Sequence, residues 1–248
     1  MCQPALATLM ILLLVCLPAC PVSAAIVRAT DYSSFWLWGG VRPQAALSHA
    51  DNLYILQGQV ADPRGQDRAK VVVIAQGMSI ARAVKARVWL VYRVYTLRWT
   101  PDIMSTIVSR LEQWRRSGNQ VVGLQIDFDA KTKHLQEYAT FLRQIRTELP
   151  EYYRLSITGL LDWNSTGDMA VITQLRNVID EVAIQTYRGW KTIANYQAYL
   201  PSLQRLIIPF KIGVVQHGEW QAPDNLESTP WFKGYIVFLH NVPRSQAR

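Results

Sequence analysis

The chain has 248 residues, half of them hydrophobic and 18% charged, which suits one globular domain with a sizeable core. The formal net charge is +8, but the Lys and Arg residues are scattered. No recognition-helix or stacking-platform pattern organises them, so nucleic acid is not an expected partner. A solvated basic surface is the plain reading of that charge, and attraction to anionic lipid or a polyanionic wall polymer is the functional one.

The three cysteines, Cys2, Cys16 and Cys20, cluster at the start, so neither an intrachain disulfide nor a thiolate metal site is expected beyond them. Residues 1–24 contain no charged side chain and read as an export signal. The apolar run Leu9 to Leu17 is too short to span a bilayer comfortably. Val22-Ser23-Ala24 supplies small residues for cleavage before Ala25. The rival is a lipoprotein box, Leu17-Pro18-Ala19-Cys20, in which Cys20 is lipidated; Pro18 and Pro21 fit it imperfectly. The missing Lys or Arg ahead of the apolar run counts against both versions. Residues 25–248 are then expected to form one domain, monomeric, exported, and touching a membrane only through a lipid at Cys20.

Strand-like and helix-like segments alternate from there. Phe35-Trp36-Leu37-Trp38 is the first strand, stopped by Gly39-Gly40, and Leu53 to Gln57 is the second. Asp62-Pro63-Arg64-Gly65 signals a turn, and Val71 to Ala75 is an extra strand, expected to form a hairpin with its predecessor. Val88 to Tyr95 is the third main strand. Pro101 opens a helix to about Ser117, with Ile103, Ile107, Val108, Leu111 and Trp114 on one face. The fourth strand is Val121 to Asp129, followed by a helix over Leu135 to Leu149. Leu155 to Leu161 is the fifth strand, with Asp162-Trp163-Asn164 in its loop and a helix over roughly Asp168 to Ile179. Val182 to Tyr187 is the sixth strand, and a helix is expected near Ile193 to Leu203. Lys211 to Gln216 and Tyr235 to Leu239 are the seventh and eighth strands. Eight main strands alternating with helices predict a compact closed (β/α)8 barrel of the TIM type. No glycine-rich dinucleotide fingerprint follows any strand, and no cofactor is expected.

In such a barrel the carboxyl ends of all strands meet on one face. The fourth strand brings two acids there: side chains alternate, so Asp127 and Asp129 share a side with Gln125. Other strand ends contribute Trp36, Trp38, Gln57, Arg93, Tyr95, Asp162, Trp163, Gln185, Tyr187, Gln216, His217, His240 and Asn241. Tryptophans that stack on sugar faces, with amides and carboxylates that bond hydroxyls, make a carbohydrate site. Plainer readings stand beside this one. Asp129 could cap the next helix, Asp162 its turn, and Arg93 could pair with the two acids as a structural ion cluster. Trp36 and Trp38 could be core or rim packing. His217 and His240 show no metal-ligand spacing, so no metal is expected.

The fourth-strand stretch resembles the signature of family 18 chitinases, Asp-Gly-x-Asp-x-Asp-x-Glu. Gly123 matches its glycine and Asp127 its last aspartate. Gln125 replaces an inner acid, and Asp129 stands where the catalytic glutamate belongs. Ile184-Gln185-Thr186-Tyr187 is similar to that family's Met-x-Tyr-Asp, with Tyr187 matching and Arg188 replacing the aspartate. Gly234 to Phe238 resembles its eighth-strand segment, with Phe238 in place of tryptophan. As a whole the chain resembles a bacterial family of unknown function, the domain-of-unknown-function family 3142, through Phe35 to Trp38, Gly123 to Asp129, Leu155 to Thr158 and Gln185 to Gly189. The resemblance implies an exported barrel. In the chitinase-like mechanism a glutamic acid protonates the leaving oxygen and the substrate's acetamido group attacks; an aspartate is one methylene shorter. Three functions remain open. One is a glycoside hydrolase-like enzyme on a cell-envelope or extracellular polysaccharide, with Asp129 as acid, Asp127 and Tyr187 assisting, and Gln185 positioning the sugar. The second is a non-catalytic carbohydrate-binding protein. The third is a metal-dependent hydrolase built on Asp127, Asp129 and His217.

Overall fold

The computed structural model describes residues 24–63, 71–82, 85–130, 134–161, 169–223 and 225–241. Eight parallel strands close into a barrel: β1 (Ser34–Leu37), β2 (Asn52–Ala61), β3 (Arg87–Val94), β4 (Gln120–Asp127), β5 (Arg154–Leu160), β6 (Glu181–Gln185), β7 (Phe210–Val215) and β8 (Phe232–Phe238). Each pairs with its successor, and β8 returns to β1 through Val237↔Phe35 and Phe238↔Trp36. The expected extra strand, Val72–Ala75, runs antiparallel to the second half of β2, from Gly58↔Ala75 to Ala61↔Val72. It stands where a helix would otherwise link β2 to β3.

The helices α1 (Pro101–Arg116), α2 (Leu135–Glu148), α3 (Met169–Leu175) and α4 (Leu200–Leu203) follow β3, β4, β5 and β6. Ile103, Ile107, Leu111 and Trp114 form the buried face of α1, as their spacing predicts. The helix expected over Ile193 to Leu203 is cut short. Asn195 takes a left-handed conformation, a 3-10 turn spans Tyr196–Ala198, and Pro201 sits in the first turn of the four-residue α4. Proline has no N–H to continue a preceding helix, so it begins a new one.

Alternation along the strands divides the core in two. One zone lies between strands and helices and includes Leu90, Ile107, Leu124, Ile126 and Leu142. The other fills the barrel itself with Trp36, Tyr54, Trp89, Val91, Ala183 and Ile236. Polar groups in that interior bond to one another. Trp36 Nε1 donates to Gln125 Oε1 at 2.6 Å, and Gln125 Nε2 donates to Ser156 Oγ at 3.0 Å. Ser156 and Tyr54 hydroxyls donate to Glu181 Oε1, and Lys211 Nζ lies 3.9 Å from Glu181 Oε2. Burial pushes the Lys211 ammonium down despite Glu181. Glu181 and Lys211 sit at the amino ends of their strands, the stability face of such barrels.

Candidate functional site

The register of the sheet builds the opposite face. Arg93 and Asp127 are paired positions on β3 and β4. Arg93 Nη1 lies 3.6 Å from Asp127 Oδ2, and its Nη2 lies 3.3 Å from Asp129 Oδ2. The guanidinium also lies 5.5 Å from the Trp38 ring centre and 5.7 Å from that of Tyr95. One cation is thus held between two carboxylates and two aromatic rings.

The two acids differ in setting. Asp127 ends β4 and is buried; its Oδ1 accepts from Thr158 Oγ1 at 2.9 Å, while Oδ2 has no hydrogen-bond donor. Burial pushes its carboxyl up to about 6, and the charge of Asp129 adds to the rise. Arg93 and the Thr158 hydroxyl oppose it. Asp129 lies past the end of β4, in a turn where Ala130 N donates to Phe128 O, and its side chain is 61% exposed. Strict alternation therefore stops at Asp127, yet Asp129 still turns its carboxylate to the same arginine.

Asp129 and Arg93 stand on the wall of a cavity of about 700 Å³ at the carboxyl ends of the strands. Trp38, from the end of β1, and Phe238, from β8, line one side. Leu160 and Leu161 close another, and Gln185 and Tyr187 extend from β6. Past β6 a hairpin pairs Tyr187–Arg188 with Lys191–Thr192 and presents Arg188, Gly189 and Trp190 to the cavity. Burial, with the charge of Asp127, raises the Tyr187 phenol well above its ordinary value, so it stays a hydrogen-bond donor at neutral pH.

The structure thus gathers Asp129, Arg93, Trp38, Gln185 and Tyr187 around one cavity, with Asp127 behind and Tyr95 exposed beside Arg93. Other expected site residues lie elsewhere. Trp36 and Gln125 face the same interior but one layer deeper, bonded to each other and buried. Gln57 turns outward, because the register shifts between Leu56 and Gly58, and accepts from Arg110 and Trp114 on α1. Gln216 bonds Gln44 and His240, fastening the loop after β1 to the ends of β7 and β8. The His217 ring lies 5.5 Å from that of His240, and burial, then the His240 charge, lowers its pKa. Asp162 and Trp163 lie outside the described residues. Among the described residues no three of His, Cys, Asp and Glu gather closely enough to hold a metal ion, and no helix is long and apolar enough to cross a membrane. The sequence reading passed over Trp190, which is 63% exposed and packs against Phe238 and His240. Its one signal is its place after Gly189 in a turn, where no core needs an indole.

The raised Asp127 carboxyl makes a stability prediction. Its folded pKa exceeds the unfolded value, so the folded state holds the extra proton between about 4 and 6. That contribution is complete below about 4 and is lost as pH rises through about 6. Melting curves from pH 4 to 7 should show the parent losing stability relative to Asp127→Asn by on the order of 1 to 3 kcal/mol. A pH-independent difference would contradict the assignment. Glu112 works in the opposite sense at lower pH. Hydrogen bonds from Arg115, Tyr153 and Tyr152 hold it down at about 2, so its contribution is lost as pH falls below the ordinary carboxylate range.

Residues 94–190 match the model of a family described as a domain of unknown function, DUF3142. The match takes in the fourth-strand acids and the first strand and turn of the Tyr187 hairpin, but not Phe35 to Trp38. No curated protein matches the chain. Among solved structures, a xylanase and α-amylase inhibitor protein from Scadoxus multiflorus superposes with a TM-score of 0.51 at 14% identity, over 83% of this chain and 92% of that one. A further form of such an inhibitor gives 0.53 at 11%, over 84% and 93%. The chitinase domain of the spore coat protein CotE from Clostridium difficile gives 0.44 at 13%, over 79% and 67%. In fold, the chain shares the (β/α)8 barrel with these inhibitor proteins.

Proposed function

We propose that this barrel acts on a cell-envelope or extracellular polysaccharide as a glycoside hydrolase-like enzyme, with Asp129 delivering the proton to the leaving oxygen. One arrangement carries the reading: the Asp129 carboxylate stands on the wall of an aromatic-lined cavity of about 700 Å³, with a second carboxylate buried behind it across Arg93. Such a volume suits a few sugar rings. Trp190 and Trp38 offer flat apolar faces, and Gln185 and Tyr187 offer polar groups for hydroxyls. An incoming sugar would draw Arg93 away from Asp129, leaving that carboxyl free to hydrogen-bond the glycosidic oxygen. Asp127 would then orient the group that attacks the anomeric carbon. A mechanism using two protein carboxylates would need an acid across the cavity, and Asp162 is the sequence's candidate for it. Export by residues 1–24, free or tethered through Cys20, belongs to the same proposal.

A second reading, carbohydrate binding without turnover, is favoured by Arg93, which occupies both carboxylates, and by an aspartate where the resembling family has glutamate. Reducing-sugar release from chitin, peptidoglycan and bacterial exopolysaccharides separates the two. Release by the parent and not by Asp129→Asn supports hydrolysis. No release from either, with retention on one immobilised polymer, supports binding. Under both readings Trp190→Ala should weaken glycan affinity about tenfold, measured by titration calorimetry, because an exposed stacking face is lost. Unchanged affinity would remove Trp190 from the site.

A further inference from the structure

The cavity holds two arginines in opposite electrostatic states. Arg93 has its charge answered by Asp127 and Asp129. Arg188 is exposed and has no ion-pair partner among the described residues. Its cross-strand neighbour in the hairpin is Lys191, also exposed and also without an ion-pair partner there. Directly paired residues of an antiparallel hairpin project to the same face, about 5 Å apart at Cβ, where like charges repel. The two-residue turn Gly189–Trp190 is therefore flanked by a like-charged pair, of which Arg188 lines the cavity and Lys191 stands beside it across the hairpin. Asp129 is the one acid among the described lining residues, and Arg93 already engages it.

Resting on the glycan reading above, we propose that the occupant is an acidic glycan. Its carboxylate or sulfate is bound between Arg188 and Lys191 while its ring lies on Trp190. An anion there relieves the repulsion between the two cations and accepts charge-assisted hydrogen bonds from both. The net charge of +8 adds long-range attraction for a polyanion.

The test is calorimetric titration of the purified chain with three oligosaccharide probes: oligogalacturonate, a sulfated galactan oligomer and a neutral chito-oligosaccharide. At least one acidic probe should bind about tenfold or more tightly than the neutral one, with an advantage that shrinks as salt is raised. The two acidic arms tell carboxylate from sulfate. In the double variant Arg188→Gln/Lys191→Gln the advantage should disappear, while affinity for the neutral probe changes by less than about threefold. Arg188→Lys should retain part of it. The double variant should also melt no lower than the parent at low salt, because a like-charge pair has been removed. Equal affinities for acidic and neutral probes, or a preference that survives the double variant, would overturn the acidic-glycan inference and leave the glycan reading standing. Binding of no probe at all would overturn both.

Discussion

Asp129→Asn is expected to lower the rate of glycan release by a factor of about 10² to 10⁴, with far less effect on KM. The amide is nearly isosteric with the carboxylate, and its Oδ1 can still accept from Arg93, so the cavity keeps its shape. What it loses is a proton to give. The side chain is 61% exposed, and its ion pair with Arg93 is a rim contact, so the melting temperature should move little. Asp127→Asn makes the informative contrast. It removes a buried charge that Thr158 and Arg93 only partly satisfy, and any limb of the pH–rate profile near 6 should vanish with it. Asp129→Glu keeps a carboxyl that can give a proton, on a stem one methylene longer, and should retain or raise the rate. If Asp127→Asn abolishes turnover while Asp129→Asn does not, the proton donor is the buried acid. If neither variant changes a measurable rate, the hydrolytic reading fails.

Much of this site was legible from alternation and strand ends, but depth and register were not. Trp36 and Trp38 lie two positions apart on one strand edge and share a face. A rise of about 7 Å separates them. Trp36 is sealed in the barrel while Trp38 lines the cavity. Periodicity reports the face and says nothing of the layer. The same holds for Gln125, two residues below Asp127. The bond between Arg93 and Asp127 depends on pairing between β3 and β4 that includes a register shift between Val88 and Trp89, which no local pattern announces. Gln57 illustrates the reverse, since a bulge turns an expected inward side chain out to α1. Trp190 escaped because an aromatic in a hairpin turn belongs to no period; only the hairpin's position beside β6 brings it to the cavity.

The layer beneath the site is where stability is most exposed to substitution. Trp36 is buried with edge contacts to Tyr54 and Tyr187, at centroid distances of 6.0 and 6.3 Å, and its Nε1 is the donor to Gln125 Oε1. Its six-membered ring fits because Gly213 on β7 has no side chain: a Cβ there would lie 2.6 Å from the indole. Trp36→Ala removes one of the two buried tryptophans that fill the barrel and leaves a cavity, about 3 to 5 kcal/mol. It also orphans a buried amide oxygen, a further ~1 to 3 kcal/mol. For a domain of this size the melting temperature should fall by roughly 10 °C or more. Trp36→Phe keeps most of the packing and should lose chiefly the hydrogen bond. Gly213→Ala attacks the same contact from the other wall and should destabilise by pressing on an indole that has nowhere to go. The double variant Trp36→Phe/Gly213→Ala should then be more stable than the two single effects added together, because the smaller ring makes room for the new methyl. Strict additivity would mean that the two residues do not share a packing constraint. A loss of glycan affinity in Trp36→Phe at temperatures where the barrel stays folded would show that this layer also positions Tyr187, which rests on its edge.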